Sequence, residues 1–225
     1  MATLMKAGVF AKKLKYVAEN TKTLYVMGGW GQPLTESNKK MFIKNYSFNQ
    51  KSDRYAAIMA ATPDTFAFDC VCFDKSMLDG FCGDATQQFG GATYGKPCPD
   101  VTIKDLLNRY CTDISTDMTK IQTGEFIVYK DYSHCGVYVG DNLVVECTYR
   151  WEDGVQFTNI NQAERKDMWG FHGKLTAFLD YEEVPQPTPS PSPKPDNSTI
   201  KTELNDCIVE MTSVLQRMST LVNKL

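Results

Sequence analysis

Cys70, Cys72 and Cys82 fall within thirteen residues of the stretch FAFDCVCFDKSMLDGFCG, residues 66–83. Three chemistries use clustered cysteines: a metal cage, a disulfide, or one reactive thiol beside inert neighbours. A structural zinc site needs four ligands, usually as paired Cys knuckles or Cys/His sets. Here one tight pair is followed by a stray, and no histidine lies within fifty residues. A disulfide between Cys70 and Cys72 is badly strained, and a reducing cytoplasm argues against the others. A nucleophile remains. It requires a thiolate, which a helix N-terminus and a nearby imidazole both favour. Asp69-Cys70 sits where the proline-containing segment ATPDTF gives way to an apolar, helix-compatible run. That places Cys70 in the first turn, where amide dipoles stabilise negative charge on sulfur. Cys72 and Cys82 are expected to pack.

The general base can be sought exhaustively, because the chain has two histidines, His134 and His172. His134 opens the strand-like run HCGVYVG. If Gly140-Asp141-Asn142 forms a three-residue hairpin loop, Val139 pairs with Leu143 and Glu146 falls opposite Gly136, on the face of His134. A two-residue loop places Glu146 on the other face. In the first register Cys135 lies opposite Cys147, as two core thiols. A glutamate inside the apolar run LVVECT is costly to bury alone, and an imidazole supplies its partner. Cys70, His134 and Glu146 then make the thiol version of an acyl-transfer triad. Trp169 and His172 are expected to be structural.

The elements that position these residues follow from pattern. Residues 4–20 read as an amphipathic helix, YVMGGWGQPLT as a glycine-rich turn, and residues 36–60 as helical or irregular. Helices are expected after Phe68 and over residues 102–110. EFIVYK, HCGVYVG, LVVECTY and GVQFTNI are short alternating runs separated by turn residues, which predicts an antiparallel sheet. Helices first and strands afterwards imply an α+β domain over residues 1–184. Residues 185–199 belong to a segment carrying six of the ten prolines, a stiff linker reaching some 40 Å at about 3 Å per residue. In residues 200–225, Ile200, Leu204, Cys207, Met211, Val214, Met218, Leu221 and Leu225 form a heptad seam, widened by Ile208, Leu215 and Val222. Such a broad stripe predicts a homo-oligomer, a trimer or tetramer. Docking on another surface or on its own domain is the alternative.

The motifs together resemble the NlpC-type cell-wall peptidases, papain-fold cysteine enzymes that cut peptidoglycan stem peptides. The likeness is nearest to those of phage endolysins. It rests on FDC at a helix start, H-x-G-V-Y-V-G-D opening a hairpin, and a polar residue in V-V-E-C-T, and spans most of residues 14–181. It implies Cys70 as nucleophile, His134 as general base and Glu146 as the orienting residue. Tyr25, with Trp30 in the same YVMGGWG segment and Asp69, is implied in substrate binding. About thirty residues separate that segment from Cys70, where most members have only a few, and these are expected to form an extra lobe over the cleft. The family commonly reads Asp-Cys-Ser-Gly. Here Val71 replaces the serine and cannot donate its hydrogen bond, which leaves stem-peptide specificity open.

The resemblance implies a papain-like fold and a peptidoglycan hydrolase, an endopeptidase needing no metal or other cofactor. An amidase cutting between the lactyl group and the first alanine, or a non-catalytic wall-binding or virion module, are the alternatives. Composition agrees with one sizeable core, 42% hydrophobic and 23% charged. A net charge of −3 points to neither nucleic acid nor an electrostatic membrane patch. No apolar run reaches the roughly 18 residues of a membrane span. The lysine-broken N-terminus has no signal-peptide core. Synthesis in a host bacterial cytoplasm and action at the cell wall are therefore expected.

Overall fold

The computed structural model describes residues 4–181; the expected Pro-rich linker and heptad helix lie outside the described residues. In chain order the elements are β1 (Met5–Lys6), α1 (Ala7–Asn20), β2 (Thr23–Tyr25), β3 (Trp30–Pro33), α2 (Glu36–Asn45), a 3-10 turn (Ser47–Gln50), α3 (Ser52–Ala60), β4 (Phe66–Phe68) and α4 (Cys70–Leu78). Then come α5 (Ile103–Tyr110), β5 (Thr112–Ser115), a second 3-10 turn (Met118–Lys120), β6 (Phe126–Tyr129), β7 (Cys135–Gly140), β8 (Leu143–Thr148), β9 (Gly154–Asn159), β10 (Trp169–Lys174) and β11 (Leu179–Asp180). The architecture is α+β. A six-stranded antiparallel sheet runs in the order β5-β10-β6-β7-β8-β9, beside a three-stranded sheet β2-β4-β3 and the pair β1-β11.

The apolar stripe Ala7, Phe10, Ala11, Leu14, Val17 recurs at helical spacing and is buried, so α1 lays one face on the sheet. The helix begins at Ala7 rather than at residue 4, because Met5 and Lys6 pair in parallel with Leu179 and Asp180. Phe73 and Met77 of α4 enter the same core as Phe126, Val137 and Val145. Each such side chain contributes about 1.5–3 kcal/mol by leaving water. Residues 36–60 form α2, the first 3-10 turn and α3. They pack Phe42 and Ile58 against Leu24, Val26 and Ala67 of the small sheet, and only the end of α2 reaches the cleft as a wall. Arg54 of α3 fastens this segment to the rest: Nη1 and Nη2 donate to Asp153 at 2.6 and 3.0 Å, and Nη2 also to the Tyr25 carbonyl at 2.5 Å.

The expected runs account for β6 to β9, and β3 lies within the segment expected as a turn; β4 and β10 show why other strands escape a reading by pattern. β4 is three residues long and buried throughout, so it shows no alternation. β10, WGFHGK, holds no β-branched residue. Its Gly170 lies where a Cβ would come within 2.6 Å of the Lys130 backbone, so close strand approach excluded the residues that mark a strand. No helix among the described residues is long and apolar enough to cross a membrane.

Candidate active site

The helix that carries Cys70 starts where β4 stops. Asp69 caps α4: its Oδ1 accepts the Cys72 N–H at 2.8 Å, and its Oδ2 accepts the Gly28 N–H at 3.0 Å. One carboxylate therefore ends the helix and anchors the glycine turn after β2. Gly28 has φ +82°, and a Cβ there would overlap the Tyr46 ring, so the turn admits only glycine. Burial, and next the charge on Cys70, push Asp69 up to about 6 against those two N–H donors. Asp69 lines the cleft, but each oxygen is already engaged, so its first role here is to position the helix start.

Cys70 is the first helical residue and its thiol is partly exposed. A hydrogen bond from Cys135 lowers it well below the usual thiol range. Burial opposes this, while the hydrogen bond and charge of His134 and the Val71 N–H reinforce it. His134 stands just before β7, its side chain 12% exposed. Its Nε2 donates to Glu146 Oε2, which leaves Nδ1 for the sulfur. Burial disfavours the imidazolium, but hydrogen bonds to Cys70 and then Glu146 overcome it and raise His134 to about 9. Both shifts run in the direction that favours a thiolate beside an imidazolium.

Glu146 is fully buried and takes four donors: Oε1 from Thr158 and Arg165, Oε2 from His134 and Arg165. Burial would raise its carboxyl, but His134 and then Arg165 hold it below the usual range. Arg165 is itself caged, its guanidinium 5.2, 4.8 and 5.3 Å from the rings of Tyr129, Trp151 and Trp169. Arg165 and Thr158 had no signal in the sequence, because an ion pair across a sheet and a loop has no fixed spacing.

The hairpin reaches the expected pairing by another route. The loop has two residues, Asp141 and Asn142, both at positive φ, and Gly140 pairs with Leu143. That alone would turn Glu146 to the wrong face. A bulge between Tyr138 and Gly140 restores the register, so Val137 pairs with Val145 and Gly136 comes against Glu146, 3.0 Å from a Cβ to the Glu146 Cβ. Cys147 is a core thiol, donating to the Phe68 carbonyl at 3.4 Å. Cys135 is buried too, but its Sγ faces Asp74 Oδ2 at 3.6 Å.

Tyr25 is buried between Phe48 and Tyr149, centroids 5.8 and 5.5 Å away, and its hydroxyl is held protonated by burial and by the charge on Cys70. Trp30 and Val71 line a cleft of about 500 Å³ with Asp69, Tyr46, Tyr94 and Asp100. Trp30 is 2% exposed; Tyr94 lies 4.6 Å from its ring, and Lys75 Nζ lies 4.4 Å from it. Cys72 is buried and Cys82 exposed, and all seven cysteines in the described residues are free thiols. His172 is buried, bonding Glu125 through Nδ1 and donating from Nε2 to the Asp117 carbonyl at 3.0 Å. Trp169 packs on Tyr129. Searches against family models and curated proteins returned no match to this chain.

Proposed function

We propose that the protein is a peptidoglycan hydrolase of the phage-endolysin kind, a papain-like cysteine endopeptidase acting on the stem peptide. The observation that carries this reading is the His134–Glu146 hydrogen bond beside a Cys70 thiol that stands in the first turn of α4 and is lowered by His134. A helix bearing the thiol, packed on an antiparallel sheet bearing the imidazole, is the arrangement that the NlpC resemblance implies.

In the proposed reaction the Cys70 thiolate attacks the scissile carbonyl. The Cys70 N–H, at the first helical position and without an intrahelical acceptor, points to the tetrahedral oxyanion. His134, already protonated, gives its proton to the leaving amine. It then takes one from the water that opens the thioester. Glu146 keeps the imidazole oriented and balances its charge throughout. Released as a multimer through residues 200–225, the catalytic domains would act at raised effective concentration on a polymeric substrate.

The test is clearing of cell-wall suspensions by wild type and Cys70→Ala. Loss of clearing in the variant is expected, and equal clearing would leave a binding module. Mass spectrometry of the digest assigns the bond: truncated stems mark an endopeptidase, free intact stems an amidase.

A further inference from the structure

Beneath the nucleophile lie an acid and a thiol that the reaction above does not use. Asp74 is four residues after Cys70 on α4, hence on the same helix face, and Cys135 follows His134. Both have zero exposure. Cys135 Sγ stands 3.6 Å from Asp74 Oδ2, and it is the largest influence lowering the Cys70 thiol. The second oxygen of Asp74, Oδ1, has no hydrogen-bond partner among the described residues. The charged groups acting on Asp74 are Cys70, His134 and Glu146, and Glu146 is already matched by Arg165.

Proton counting then decides the arrangement. Cys135 has one proton to donate. An ionised Asp74 would draw that proton to itself, leaving the Cys70 thiolate facing a bare sulfur and a second buried anion. It would also be a buried carboxylate with half of its acceptor capacity empty, which burial penalises. A neutral Asp74 donates its O–H to Cys135 Sγ, and the Cys135 S–H is free to donate to Cys70. Burial, and next the charge on Cys70, push Asp74 well above the carboxylate range, which agrees. We propose that Asp74 is a permanently protonated carboxylic acid that acts through Cys135 to hold a donated hydrogen bond on the Cys70 thiolate, making Asp74 and Cys135 positioning residues of the nucleophile. Around Cys70 the other groups are accounted for: His134 is the counter-charge, Tyr25 is neutral, and Asp69 is engaged by two N–H groups.

The inference rests on Cys70 as a thiolate nucleophile but not on any substrate, so it is tested without cell wall. The rate of Cys70 alkylation by iodoacetamide is followed against pH in the full chain, with the modified peptide quantified by mass spectrometry. At the pH where wild type is half-maximal, Cys135→Ala should react at least about five-fold more slowly, the loss of one hydrogen bond to a charged group. Cys135→Ser, which keeps a donor, should restore the limb even if the alanine variant folds poorly. Asp74→Asn separates the protonation states: its amide donates but carries no charge to lose, so the limb should stay in place. Asp74→Leu, with no donor, should move it to higher pH. A limb that moves to lower pH in Asp74→Asn would reveal a native carboxylate and overturn the proposal. So would an unmoved limb in Cys135→Ala.

Discussion

Arg165 holds both carboxylate oxygens of Glu146, nineteen residues earlier in the chain, and does so in full burial. Glu146 in turn faces His134. The orientation of the imidazole is thus set by an ion pair buried away from solvent.

Removing one partner should cost more than removing both. Arg165→Leu leaves a buried, uncompensated carboxylate and is expected to destabilise the fold by about 3–5 kcal/mol. Urea denaturation of Arg165→Leu and of Arg165→Leu/Glu146→Leu checks this. The double variant should recover part of the loss, and an equal or larger loss would show that the pair is not the reason.

The thiolate–imidazolium pair makes a definite pH signature. His134 is raised to about 9, so the acid that protonates the leaving amine is present below about 9 and lost above it. Cys70 is lowered, so the acidic limb of kcat/KM on a soluble stem peptide should lie below the ordinary thiol range. His134→Gln should abolish the limb near 9 and move Cys70 alkylation to higher pH.

Linkage for the same pair has a testable cancellation. Between 6.5 and about 9 the folded state binds a proton on His134 that the unfolded chain lacks, and above the lowered Cys70 titration the unfolded chain keeps a proton on Cys70 that the folded state has lost. Where both hold, the pair contributes no slope of stability against pH. Taken alone, the raised His134 contributes stability that is complete below 6.5 and lost as pH rises through about 9. Unfolding free energies of wild type and a Cys70→Ala/His134→Ala variant, measured across the window, should run parallel.

Asn49 supports the site from a distance. It is fully buried, accepts the Met27 N–H at 3.0 Å, and donates to the carbonyls of Met27 and Phe42 at 3.0 and 3.1 Å. Asn49→Ala strands those backbone groups and should cost about 2–3 kcal/mol. Because Met27 precedes the Gly28 N–H that Asp69 accepts, slower Cys70 alkylation is expected alongside the lower denaturation midpoint. Retained rate with lost stability would confine Asn49 to packing.

The heptad pattern of residues 200–225 carries its own expectation. Deleting residues 185–225 should reduce the mass per particle in light scattering, whereas an unchanged mass would remove the oligomer.

How far the site was legible can be judged residue by residue. Asp69-Cys70 announced a helix start, because a capping acid before an apolar run is a local signal. Two histidines left little choice of base. The loop length after β7 was misread, since Gly140 fits a three-residue loop as well as a bulge followed by a two-residue turn. Arg165, Thr158 and Asp74 carry no local signal, and Cys135 in an alternating apolar run reads only as a packing thiol.

The local chemistry is readable from the residues alone: a capped thiol, a histidine at a strand start, a glutamate in an apolar run. Capping, alternation and helical periodicity are set by neighbours within a few residues. What those groups do to one another depends on segments that meet only in the folded chain. The bulge turns Glu146 to the imidazole, Arg165 keeps it charged, and a buried acid and second thiol lie beneath the sulfur. Protonation states follow from burial and from partners far apart in the chain, and those exist only once the sheet has formed.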